Sequence, residues 1–362
     1  MTAITWKRAA LCVAAALVLA AEAPAQRPKK DNPNDKKPAV PVPDTQPASQ
    51  PAISVVNDTL AEEEAKKVGE SLGREMFYYE TEHFTWCASL PESRMRPIAE
   101  GAEAVYRLFA EITGVKSWRE LYEKQRCMGV LLPSKREYEQ YVSFYAETYK
   151  TWNKEKFVAS KTSVSYYFTP SSRPTLVTHV KPNDDDFLRQ IMSHMAAHSL
   201  VNRFAYHNNF LPAWLEEAVS VWFEGEVCGK VACRCFSGTF YGKAEQADPK
   251  ITAGLPLAKW KTKTKVDTQT TRAKNLTALW RLQLGELTLE DVEKGYAVVS
   301  WMMTDRPKFA EFMKIMKKNW PKDVNSEYSD AKGKAQEIAF KEAYGKSIDE
   351  VEAAVKLHVQ KF

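Results

Sequence analysis

The residues able to do chemistry crowd into one stretch, QIMSHMAAHSLVNRFAYHNNFLPAWLEEAVSVWFEGE, from Gln190 to Glu226. His194 and His198 stand four apart in a segment where Leu188, Ile191, Met195 and Leu200 supply helical apolar spacing, with no proline before Pro212. Residues at i and i+4 share one helix face, so both imidazoles address one spot. A second apolar segment begins at Trp214 and carries Glu217, nineteen residues after His198. Two imidazoles from one helix and a carboxylate from the next form a three-donor zinc set with the fourth position open. His207 lies nine residues past His198 and falls off that face; His83, His179 and His358 are isolated.

His194-x-x-x-His198 followed by Leu211-Pro212-Ala213-Trp214-Leu215-Glu216-Glu217 resembles the zinc core of the gluzincin metallopeptidases. The aminopeptidase-N-like enzymes carry H-E-x-x-H, eighteen residues, then a Glu within W-L-N-E-G, and the spacing here is the same. The chain is also similar to exported bacterial proteins of unassigned function with a peptidase-like domain of this type. The resemblance implies that His194, His198 and Glu217 are zinc ligands in a zincin-like fold.

The same comparison exposes departures. Met195 stands where the family has its general base, and methionine cannot take a proton from a metal-bound water. Asp291-Val292-Glu293-Lys294-Gly295-Tyr296 resembles the signature Tyr-Glu-Lys-Gly-Phe, but Val292 holds the place of the tyrosine that stabilises the oxyanion; Tyr296 follows one turn later. The Gly-x-Met-Glu-Asn that binds a free amino end has no match before His194. Glu216 is the candidate stand-in base, although a helix turns its side chain about 100° from that of Glu217. A general base is worth about 10²–10⁴-fold and an oxyanion donor about 10²–10³-fold. The resemblance therefore implies an exported zinc-binding protein, a degenerate metallopeptidase working as a binding or scaffolding module for a peptide or protein ligand. The alternatives are an active zinc-dependent hydrolase with a non-standard base, and a relic that binds no metal.

The elements that must position these residues are legible in outline, and they predict an α+β chain. His83 to Ala88 and Cys127 to Leu132 read as strands, as do Ser163 to Phe168 and Thr175 to Val180. Glu92 to Thr113 reads as a helix on Ile98, Ala102, Val105, Phe109 and Ile112, stopped by Gly114. Ser134 and Glu137 form a capping box that opens another helix. Asn183 is placed to cap the metal helix, with Asp184, Asp185 and Asp186 at its positive end. Lys261 to Arg272 has no apolar period and reads as a surface loop. From Leu276 the chain reads as helical to its end, on stripes such as Phe309, Phe312, Met313 and Met316. The organisation expected is a mixed-sheet subdomain over 57–182 and a metal-helix and helical subdomain over 183–362.

The first 56 residues read differently. Lys7 and Arg8, the apolar run Ala9 to Ala21, and Ala23-Pro24-Ala25 form a signal peptide over 1–25, with cleavage before Gln26. Residues 26–56 are rich in Pro, Lys and Asp and read as a disordered linker. The expected address is therefore periplasmic or extracellular, with no transmembrane segment after cleavage. The 362 residues carry a net charge of +5, too slight to argue for nucleic acid. Export permits disulfides. Cys87 with Cys127 is the expected pair, both on strands of one sheet, with a local disulfide within Cys228-x4-Cys233-x-Cys235; the odd number leaves at least one thiol over. Oligomeric state is not legible.

Overall fold

The computed structural model describes residues 59–123, 125–149, 165–168, 174–179, 184–205, 211–232, 254–269, 274–322 and 328–362. A five-stranded mixed sheet carries its first half. The strands are β1 (Phe77–Glu80), β2 (Phe84–Ala88), β3 (Cys127–Leu132), β4 (Ser165–Phe168) and β5 (Thr175–His179), in the order β1-β2-β3-β5-β4. β2, β3 and β5 run parallel, while β1 and β4 pair antiparallel at the two edges. The fold is α+β.

β2 and β3 are buried along their whole length because helices cover both faces. On one face Phe84, Trp86, Leu131 and Leu176 join the main core, shared with helix α2 (Glu92–Thr113) and the metal helix. On the other, Cys87, Met128, Val130 and Val177 pack with helices α1 (Thr59–Leu72) and α4 (Lys135–Tyr149), through residues such as Val68, Tyr138 and Tyr145. A one-turn helix, α3 (Arg119–Tyr122), precedes β3. Ser134 and Glu137 do cap α4: Glu137 N–H donates to Ser134 Oγ at 3.3 Å, and Ser134 Oγ donates to Glu137 Oε2 at 2.6 Å.

The helix that carries His194 and His198 is α5 (Asp185–Ala205), followed by α6 (Ala213–Cys228). Asp184 Oδ1 accepts the Phe187 N–H at the head of α5. Asn183, expected in that role, lies outside the described residues. α6 is buried from Trp214 to Gly225, which makes it the central helix. Two glycines let neighbours approach the site helices closely. A Cβ on Gly101 of α2 would lie 2.6 Å from Ser193 Oγ on α5. A Cβ on Gly295 would lie 2.9 Å from the Ala218 Cβ on α6.

A two-residue ribbon follows α6, β6 (Lys230–Val231) paired with β7 (Leu255–Pro256). Then come α7 (Leu257–Thr268), the one-turn α8 (Leu276–Leu279), a short 3₁₀ turn, α9 (Leu289–Met302), α10 (Arg306–Asn319), α11 (Asp330–Tyr344) and α12 (Ile348–His358). Residues 52–362 form one compact unit, and the main core runs from β2 through the final helices.

Three sequence expectations need correction. β1 was not foreseen: FYYE is only four residues long and offers no clear alternation. The loop expected from Lys261 is instead part of α7. Its buried stripe is Trp260, Thr264 and Thr268, and two threonines in three contacts conceal the helical period. Cys87 and Cys127 are both buried and neither is in a disulfide. Cys87 aligns with Val130 and Cys127 with Phe84. An offset of three along parallel strands puts the thiols on opposite faces and the Cα atoms about 11 Å apart, too far for a disulfide. Cys228 is also free and donates to Ser193 Oγ at 3.6 Å; Cys233 and Cys235 lie outside the described residues. So do residues 1–58, with the expected signal peptide and linker.

Candidate metal centre

α5 presents His194 and His198 from successive turns, and α6 lies against that face. His194 Nε2 and His198 Nε2 are 3.0 Å apart. Each lies 3.5 Å from Glu217 Oε2. One donor atom from each of the three residues falls within 4.8 Å of the others, and among the described residues no other set of three His, Cys, Asp or Glu converges in this way. His194, His198 and Glu217 are thus within metal-binding distance of one another.

The far edges of both rings are held by carboxylates. Glu224 Oε2 lies 3.2 Å from His194 Nδ1, and Glu216 Oε1 lies 3.0 Å from His198 Nδ1. An ionised carboxylate only accepts, so with both rings neutral the hydrogen on each Nδ1 would leave each Nε2 lone pair facing inward. At 3.0 Å the two Nε2 atoms need either a shared hydrogen or a cation between them. The spacing suits a cation. Metal–nitrogen bonds of about 2.0–2.1 Å in a tetrahedral site put two donors about 3.3 Å apart; the observed separations are 3.0 and 3.5 Å. A carboxylate behind each ligating histidine is also the usual way a protein fixes tautomer and ring orientation at a metal. The donor set fits a divalent metal such as zinc.

Burial is nearly complete: the His194 and Glu217 side chains are 0% exposed and that of His198 1%. Burial alone would raise the Glu217 carboxyl; the adjoining His194 and His198 rings outweigh it and hold its pKa well below the usual carboxylate range.

The remaining sequence candidates lie elsewhere. Met195 belongs to the apolar core at 2% exposure, as does Val292. Tyr296 packs its ring against Trp260 of α7 and Phe362, with centroids 5.9 and 6.1 Å away. Burial, and then the nearby Glu226, push its phenol pKa up. Its hydroxyl has no hydrogen-bond partner and makes no contact with the histidine pair among those described. Glu216, considered as a base, holds the outer edge of His198 instead. Glu224 was missed by sequence reasoning. Its signal was available: it stands seven residues after Glu217, two helical turns on and on the same face.

No family model matches this chain, and a search of curated proteins returns no match. Among the described residues, no helix is long and apolar enough to cross a membrane.

Proposed function

We propose that this chain is an exported zinc-binding protein on the gluzincin plan, with degenerate peptidase machinery, that works as a binding or scaffolding module for a peptide or protein ligand. The observation that carries the reading is the convergence of His194 Nε2, His198 Nε2 and Glu217 Oε2 from two successive helices. The order of parts supports the zincin-like plan: a mixed sheet, a helix with two histidines, a helix with the carboxylate, then helices to the end. The basic, apolar and small-residue segments of residues 1–25 support export.

In this reading His194, His198 and Glu217 hold the ion, while Glu224 and Glu216 keep both Nδ1 hydrogens turned outward. Bound zinc would act as a Lewis acid and lower the pKa of a bound water toward about 7. The chain's own residues do not complete a hydrolytic site. Met195 has no basic atom, and its side chain is packed in the core. Val292 offers no hydrogen-bond donor. Glu216 is committed to the Nδ1 edge of His198, away from the Nε2 that faces the ion. These three facts favour binding over turnover.

Elemental analysis of the purified protein tests the reading, alongside a peptide-library cleavage assay with and without chelator. The expected result is one zinc per chain, lost in His194→Ala and in His198→Ala, and no chelator-sensitive cleavage. A folded protein that takes up no transition metal on reconstitution would leave the site a relic. Robust chelator-sensitive cleavage would instead establish an active hydrolase.

A further inference from the structure

Glu224 has a partner on each oxygen. Oε2 meets His194 Nδ1 at 3.2 Å, and Oε1 accepts the backbone N–H of Ala232 at 2.7 Å. Ala232 is the residue after β6, at the end of the short ribbon away from α6. The returning strand is seated at the same place. Gly254, just before β7, lies so close to α5 that a Cβ there would stand 3.1 Å from Gln190 Oε1 and 2.9 Å from the Ala232 Cβ. Gln190 is one turn before His194 on the metal helix. The ribbon therefore rests on the metal helix through Gln190 and on the outer edge of the first histidine through Glu224. Further ties hold its base: Leu257 N–H donates to Gly229 O at 2.9 Å, and Lys230 pairs with Asp186 at 2.8 Å.

We infer that Glu224 couples occupancy of the metal centre to the seating of the β6–β7 ribbon, so that the ribbon is held more firmly when the ion is bound. The inference rests on the metal reading above. The physical link is the imidazole. When Nε2 donates its lone pair to a cation, the ring is polarised and Nδ1–H becomes a stronger donor. Glu224 is then held harder in the one position from which Oε1 also reaches Ala232. Conversely, without a cation on Nε2 the Nδ1–H is a weaker donor and holds Oε2 less firmly. Coupling of this kind is reciprocal: whatever factor the ion adds to ribbon seating, ribbon seating adds to ion affinity. Outer partners of metal-bound histidines are typically worth about 10–100-fold in affinity.

The test uses the full chain, stripped with a chelator and reloaded with Zn(II). Amide exchange at Ala232 and Leu257 is expected to slow on the order of ten-fold on loading. Ala232→Pro removes the N–H but leaves every ligand and Glu224 in place. It should still bind one ion at saturation, with affinity lower by about ten-fold. Glu224→Gln should abolish the exchange difference. If one Zn(II) binds per chain while both amides exchange as before and Ala232→Pro binds it as tightly as wild type, the coupling does not exist. The exchange measurement on the wild type decides the point even if a variant fails to fold. Absence of Zn(II) binding by the folded wild type removes the metal reading itself, and the coupling with it.

Discussion

Glu216 grips His198 from the side opposite Nε2: its Oε1 lies 3.0 Å from Nδ1, while the next residue, Glu217, places Oε2 3.5 Å from Nε2. Adjacent carboxylates thus address both edges of one buried ring. If the proposed centre holds an ion, Glu216 is a positioning group, and its removal should be felt in metal affinity.

Glu216→Gln keeps the volume but can present an N–H to Nδ1 and favour the other tautomer. Affinity for Zn(II), measured by competition with a chromophoric chelator, should fall about 10–100-fold with the fold retained. An unchanged affinity would mean that the ring is oriented by its packing alone.

What could be read in the chain follows from what is local. The His194–His198 spacing is a property of one helix, and so is the stripe that marks Glu92–Thr113, closed by Gly114 at φ 77°. The partners of the rings are not local. Glu216 and Glu224 reach the Nδ1 edges of the two histidines because of where α5 and α6 cross; spacing along α6 puts Glu224 on the face of Glu217 but does not say which atom either carboxylate meets. α7 was missed for another reason: the helix writes its buried face in Trp260, Thr264 and Thr268 rather than in aliphatic residues. The cysteine pairing failed on register. Type and compartment favoured a bridge, but a three-residue offset decides which face each thiol occupies.

Met195→Glu restores the family residue by name but not by environment. The two side chains are similar in length, yet position 195 is 2% exposed within the apolar core. Without metal the new carboxylate should cost on the order of 3 kcal/mol. With Zn(II) bound, part of that loss should be recovered. Any gain in peptide cleavage should stay far below family rates because Val292 remains. The check is thermal unfolding with chelator and with Zn(II), beside a cleavage assay on Met195→Glu and on its double variant with Val292→Tyr. Equal destabilisation in both conditions would show that residue 195 does not face the ion.

Cys87 and Cys127 should be found as thiols. Both are buried, and burial, with a smaller effect from Glu64, pushes the Cys87 pKa up, which suppresses the reactive thiolate. Alkylation of the native protein should miss both, and alkylation after unfolding without reductant should label both. A non-reducing peptide map that joins Cys87 to Cys127 would contradict the strand register.

Glu293 on α9 is fully buried, with Lys263 Nζ 2.6 Å from its Oε1, off the direction of a hydrogen bond; Lys263 also pairs with Asp267 at 2.5 Å. Burial, then the neighbouring Asp267, raise the Glu293 pKa from its ordinary 4.5 to about 8, with Lys263 offsetting part of the rise. Below the ordinary value the group is protonated in both folded and unfolded chains and costs nothing. Between the two values the folded chain must keep a proton that the unfolded chain has released. Stability therefore falls as pH rises, by at most about 1.4 kcal/mol per unit. Above the folded value both states are ionised and the loss is complete. Lys263 is 36% exposed, so solvent weakens its pairing and it cannot cancel the cost. Glu293→Gln removes the titration while keeping the shape. Urea unfolding of both proteins from about pH 5 to about pH 9 should show the variant gaining on the wild type through this window and then holding a constant lead. A difference that does not change with pH would place Glu293 at its ordinary pKa and break the link between its burial and the stability of the α7–α9 seam.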